Sequence, residues 1–436
     1  MSAYASRVLF ALMGSVLLSA PAMADELSGA DTAWMLTSTA LVLFMTIPGL
    51  SLFYAGLVRV KNALSVLMQC FALTALMSVL WFVVGYTLAF GSAGVEQGPW
   101  IGDLGNLFLA KVSMDSMSGS IPETLFVMFQ LTFAVITPAL IVGGFAERMR
   151  FSAMLIFSSL WLILVYAPIC HWVWGGGWLG EMGLQDFAGG AVVHITAGVA
   201  ALIAAMSLGS RKGFGQTAMP PHNLTMTVTG AGMLWVGWFG FNAGSAVVAD
   251  DAAAVAGLVT HISGAGGSLA WMTKERLRHG KPSVLGIVTG MVAGLGTITP
   301  ASGSVGPAGA VVIGLSAGVV CYFATITLKN RLGVDDSLDV FPVHGIGGML
   351  GLIMAGIFCS PSLGLFSGNG FSDGVEGIAG QLGIQLTGIG ATFAYTAVVT
   401  WILLRVVNVM VSLRVDQEDA TAGLDIVLHD ERGYDM

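Results

Sequence analysis

Asp186-Phe187-Ala188-Gly189-Gly190-Ala191-Val192-Val193-His194 and Asp336-Ser337-Leu338-Asp339-Val340-Phe341-Pro342-Val343-His344 each place a histidine eight positions after an aspartate, within an otherwise apolar stretch. An ionisable side chain at membrane depth is expensive enough that its default reading is functional. Two placed alike point to one shared site, provided that the surrounding chain puts them in a membrane.

Composition does so. Hydrophobic residues make up 55% of the sequence and charged residues 10%, with a mean hydropathy of +0.83; a soluble domain carries about a quarter charged residues. So few charges cannot clothe separate soluble domains, and a single polytopic unit in a lipid bilayer follows. The 60 glycines agree, because small residues let membrane helices approach closely. Residues 1–24 read as a cleavable signal peptide, with Arg7, an apolar run from Val8 to Leu18, and Ala22-Met23-Ala24 before Asp25. That run is short for a hydrocarbon core of about 30 Å.

Spanning segments are expected at about 32–56, 63–90, 122–145, 150–173, 188–209, 222–247, 252–273, 282–300, 305–328, 337–359 and 378–410. The fold class is therefore an all-α membrane protein of eleven transmembrane helices, with a membrane domain over 25–410 and a tail over 411–436. Lysine and arginine collect in every second connection, at Arg59 and Lys61, Arg148 and Arg150, Arg211 and Lys212, Lys274 to Lys281, and Lys329 and Arg331. The connections between them contain one basic residue, Lys111, and are acidic, with Glu96, Asp103, Glu181, Asp250 and Asp373 among them. Because basic loops stay cytoplasmic, the mature amino terminus is expected outside the inner membrane and the carboxyl terminus in the cytoplasm.

This topology assigns depth. Eight residues at about 1.5 Å each put His194 about 12 Å below the outer start of span 5, and His344 the same distance above the cytoplasmic start of span 10. Half of a hydrocarbon core is about 15 Å, so both rings approach the midplane from opposite sides. Five spans followed by five more must invert, which predicts a repeat of spans 1–5 and 6–10 with a long eleventh helix outside it. Ile136-Thr137-Pro138-Ala139 and Ile298-Thr299-Pro300-Ala301 echo the same relation.

Other readings of these residues are blander. Each histidine could be a satisfied interhelical hydrogen-bond partner. A metal site has little support, since His261 has no cysteine or carboxylate at ligand spacing. His171 and His222 read as interface residues near span ends. Asp186 and Asp336 stand where helices begin and read as caps for first-turn N–H groups, in preference to ion-binding carboxylates. The four cysteines are scattered and read as small core hydrophobes. A GxxxxGK[ST] loop is absent, which favours a passive or gradient-driven conductor. Phe129 and Phe133 share a helix face beside Gln130, Trp174 closes span 4, and Trp235, Trp238, Phe239, Phe241 and Ser245 line the exit of span 6. Trp172 and Trp235 read as interface anchors.

In Asp186-Phe187-Ala188-Gly189-Gly190, Gly237-Trp238-Phe239-Gly240-Phe241-Asn242-Ala243-Gly244-Ser245, and Asp335-Asp336 running on to Val343-His344-Gly345, the chain resembles the Amt/Mep/Rh ammonium transporters, most closely the bacterial Amt branch, from about residue 32 to the tail. The resemblance implies a homotrimer of eleven-helix subunits, each with its own pore. It implies an outer ammonium site of Phe133, Trp174 and Ser245, a gate of Phe133 and Phe241, and pore histidines His194 and His344 with Trp238 in the wall. It also implies that the tail, which contains Gly423-Leu424-Asp425 and His429-Asp430-Glu431, helps to contact a trimeric PII-type signalling protein. Asp430 and Gly433 depart from the common tail pattern. A transporter of this kind is not an enzyme, and no cofactor, metal or nucleic-acid partner is implied. The competing functional readings are an ammonium sensor, a channel for carbon dioxide or water, and a sodium-coupled carrier, the last lacking a carboxylate at mid-span.

Overall fold

The computed structural model describes residues 26–92 and 94–434, so the expected signal peptide lies outside the described residues. Among the described residues, eleven helices are long and apolar enough to cross a membrane: α1 Gly29–Leu57, α2 Val60–Phe90, α3 Glu123–Phe145, α4 Phe151–Glu181, α5 Gly190–Leu208, α6 Leu224–Gly244, α7 Asp251–His279, α8 Val284–Ala301, α9 Pro307–Arg331, α10 Phe341–Phe358 and α11 Gly377–Met410. Each apolar segment of the sequence is one of them. The largest differences are at α4, which continues past Trp174 into a short turn at Trp178–Glu181, and at α7, which runs on to His279. The polar last turns of α7 carry Arg276 and Arg278 into solvent, where hydropathy alone sees no helix.

The most deeply buried span is α3, surrounded by α1, α2 and α5. With lipid outside, no hydrophobic gain separates helix from helix, so close backbone contact has to hold the bundle. It does so where α5 meets α10: a Cβ on Gly198 would come within 2.3 Å of the Gly345 nitrogen and 2.4 Å of its Cα. Both helices begin with a π-helical turn, Gly190–Ile195 and Phe341–Gly345, and each turn contains its histidine. Such widened turns re-aim side chains and recur at functional sites.

The alternating connections gather on opposite faces, one basic and one acidic. On the basic face the Glu147 carboxylate, whose residue is held at φ 71°, accepts from Arg59 Nε at 3.1 Å, Asn62 Nδ2 at 3.0 Å and an Arg211 nitrogen at 2.9 Å. Arg211 also forks onto Asp335 at 2.7 and 3.0 Å, and buried Arg148 reaches the same carboxylate at 3.2 Å. Burial alone would raise both carboxyls, but Arg211, with Arg59 at Glu147 and Arg148 at Asp335, holds them below the usual carboxylate range. Four connections are tied together in this way.

After Met410 the chain folds back across this face. Arg150 and Val415 pair through the backbone with Leu413 and Arg148 at 2.9 and 3.0 Å, and two short helices follow, α12 Gln417–Ala422 and α13 Leu424–His429. Asp425 accepts the N–H groups of Leu64 and Ser65 at 3.1 and 2.7 Å, capping the first turn of α2. Near the end, the Tyr434 hydroxyl lies 3.0 Å from His222 and 3.2 Å from Asn223. The tail is therefore a docked element, and His222 is part of its berth.

The α5–α10 seam can be tested directly. Gly198→Ala forces the two backbones apart, an overpacking that costs about 1–3 kcal/mol, so the thermal midpoint of the purified protein should fall. An unchanged midpoint would show that the seam has slack.

Candidate functional site

From the acidic face, a cavity of about 350 Å³ runs inward between α3, α4 and α6, lined by Phe129, Gln130, Phe133, Trp174 and Ser245 among others. Trp174 Nε1 donates to the Asp186 carbonyl at 2.9 Å, which fixes the indole at the wall. Ser245 Oγ donates to the Phe241 carbonyl at 2.9 Å, leaving its lone pairs free for a donor in the cavity. At the floor the rings of Phe133 and Phe241 lie 4.3 Å apart between centroids, with Trp174 edge-on to Phe133 at 5.7 Å.

Below that contact is a far smaller space of about 10 Å³, walled by Ile136, Leu140, Val193 and Trp238 and reached by both histidines. His194 Nδ1 and His344 Nδ1 are 3.2 Å apart, the rings tilted by 24° with centroids at 5.2 Å. A single proton must lie between two such nitrogens, so one neutral ring donates and the other accepts. Their outward nitrogens are then one donor and one bare lone pair. Trp238 stacks on His194 at 5.6 Å and donates its N–H to Thr299 Oγ1 at 3.0 Å. His344 also lines a cavity of about 130 Å³ that opens towards the basic face beside Tyr54, Lys329 and Asp339.

The aspartates act on backbone. The Asp186 carboxylate accepts the N–H groups of Gly189, Gly190, Ala191 and Val192, the first turn of α5. The chain turns into that helix through Gly189 at φ 111°, a conformation that a side chain would strain. Asp336 accepts one such bond, from Phe341 at 2.7 Å.

Two expectations need correction. His171 is fully buried, its ring nitrogens 2.9 Å from the Ala89 carbonyl and 2.7 Å from that of Gly98, so it pins the loop after α2 and does not sit at a lipid interface. Trp172 is likewise buried, donating to the Trp100 carbonyl at 2.8 Å and packed against Trp178 and Tyr395. Both face a loop whose fold the local sequence does not disclose. Thr299, which holds Trp238, had a faint signal in the Ile-Thr-Pro-Ala echo; the Arg148–Asp335–Arg211–Glu147 network had only the unpaired look of Glu147 in a basic connection.

An aromatic-lined cavity, a close pair of phenyl rings and a buried imidazole pair follow one another here, and comparison with known proteins places the chain in a family. The Ammonium Transporter Family profile matches residues 33–434. This chain belongs to the ammonium transporter family. The transporter is 44% identical over 408 residues to an ammonium transporter of Bacillus subtilis, covering 93% of this chain and 98% of that one. It is also 44% identical over 412 residues to an ammonium transporter of Aquifex aeolicus, covering 94% and 95%. Among solved structures it resembles Saccharomyces cerevisiae Mep2 with a TM-score of 0.81 at 38% identity, covering 90% of this chain and 91% of that one. A protein described as a sensor Amt protein is similar at a TM-score of 0.85 and 27% identity, covering 92% and 98%. The transporter is accordingly not an enzyme.

The caps make unequal demands. Asp186→Ala orphans four buried N–H groups at about 1–3 kcal/mol each before relaxation, whereas Asp336→Ala orphans one. Calorimetry of the two purified variants should show the larger loss of thermal midpoint for Asp186→Ala; equal losses would contradict the capping role.

Proposed function

We propose that the transporter recruits ammonium at Phe133, Trp174 and Ser245, removes a proton, and conducts ammonia past Phe133 and Phe241 along His194, His344 and Trp238, importing nitrogen. The observation that carries this reading is the abrupt narrowing from a wide aromatic cavity of about 350 Å³ to a histidine-lined space of about 10 Å³. An indole face attracts a cation by about 0.5–2 kcal/mol, and the Ser245 oxygen accepts one of its N–H bonds. Stripping a unit charge of all its water costs far more than these contacts return, so the intact ion stops at the constriction. Desolvation also makes an amine readier to give up its proton. Neutral ammonia then needs only a donor and an acceptor at mid-depth, which the two outward imidazole nitrogens supply. The bonded pair offers the proton a route, since imidazole exchanges protons near neutrality. Potassium has neither a proton to lose nor an N–H to donate, and is refused.

In the same reading the acidic face is outside and the basic face cytoplasmic, α1–α5 and α6–α10 are inverted halves, and three subunits assemble with one pore each. Removing one mid-pore hydrogen bond, worth about 1.4 kcal/mol, slows passage about tenfold. Currents on a solid-supported membrane during an ammonium pulse should therefore fall about tenfold in His194→Ala and His344→Ala, or potassium should begin to pass. Unchanged flux with unchanged selectivity in both variants would end the proposal. Ammonium binding without any current in the unaltered protein would instead favour a sensor, which is how one structural neighbour is described.

The docked tail supports a regulatory partner at the basic face, a PII-type protein that covers the inner pore mouth. Pull-down of PII should succeed with the full chain and fail without residues 411–436; equal recovery would remove the tail from the contact.

A further inference from the structure

Between the tail and the membrane domain is a cavity of about 100 Å³ whose lining includes Arg59, Lys61, Arg148, Arg211, Lys212 and Arg414, and only one carboxylate, Glu147. The acidic partners are already saturated: Glu147 is shared by Arg59 and Arg211, and Asp335, behind the wall, by Arg148 and Arg211. Lys61, Lys212 and Arg414 have no carboxylate partner among the described residues and address carbonyl and hydroxyl oxygens. Arg414 donates to the carbonyls of Leu208 and Ser210. Lys61 donates to the Thr421 carbonyl, and Lys212 lies 3.5 Å from Thr421 Oγ1. Two ammonium groups thus converge on one neutral residue of α12. Unneutralised cations crowded in a partly desolvated cleft repel each other far more than in water, and the folded tail holds them there.

We propose that this cleft binds a phosphate-class anion, which bridges Lys61 and Lys212 of the membrane domain to Arg414 of the tail and so locks the tail down. Guanidinium and ammonium groups are the usual phosphate partners, the first by forked hydrogen bonds and the second as point charges. A tetrahedral oxyanion would supply acceptors to all three side chains at once, which no neutral tail atom can. Its source is either a soluble phosphate or the headgroup of an acidic lipid at the same face.

The test uses the full-length protein in phosphatidylcholine nanodiscs, with hydrogen exchange of residues 411–434 followed in potassium phosphate and in potassium chloride at equal ionic strength. Phosphate at ten times its Kd should slow exchange of the tail about tenfold, and Lys61→Gln with Lys212→Gln should abolish the effect. A second arm adds phosphatidylglycerol to the discs in chloride: slowing there, with none from inorganic phosphate, assigns the same cleft to a lipid headgroup. Unaltered exchange of α3 shows that the double variant is folded; should it not fold, the exposed Lys212→Gln alone must weaken the response. No slowing in either arm, or slowing that survives the substitutions, overturns the proposal.

Discussion

Two imidazole rings can meet in the middle of this bundle only because the backbones that carry them touch. Gly198 and Gly345 bring α5 and α10 to a separation at which a methyl group has no room, and the π-helical turns then swing His194 and His344 to 3.2 Å. Everything nearby is arranged to tolerate that meeting. Asp186 anchors one turn from the acidic side by four N–H bonds and Asp336 the other by one, while Thr299 turns the Trp238 N–H away from the histidines. A polar group in an apolar setting costs free energy unless it is hydrogen-bonded, yet the outward nitrogen of His194 has no partner in the protein among the described residues.

What the sequence made legible follows from which forces act locally. Hydropathy marks a span because a helix in lipid must bury its own backbone bonds, and all eleven segments could be read from it. Charge alternation sorted the connections, and four of the basic ones do gather into one network. Periodicity put Phe129 and Phe133 on one face, and their rings lie at 5.1 Å. The rest was decided by contacts between distant segments. Nothing around Cys170-His171-Trp172 announces the loop at Ala89 and Gly98 that encloses them, and nothing in an acidic tail announces that Asp425 finds the first turn of α2. The end of α7 was missed for the opposite reason, because its last turns leave the apolar medium that the hydropathy scale measures.

The two faces differ in how they are held. On the acidic side, loops are fixed by indole and carbonyl contacts such as Trp172 with Trp100. On the basic side, guanidinium groups share two carboxylates and leave lysines over. Contacts of the first kind respond little to salt, whereas solvent-facing charges beyond the saturated core are screened within about 8–10 Å at ordinary ionic strength. The tail thus rests on a surface whose leftover charges the ions of the surrounding solution can screen.

The space between Phe241 and the histidines, about 10 Å³, is close to a single water-sized sphere. Apolar side chains wall most of that space, so a group that faces it meets little or no liquid water, and the His194 nitrogen without a partner among the described residues keeps its hydrogen-bonding capacity unspent.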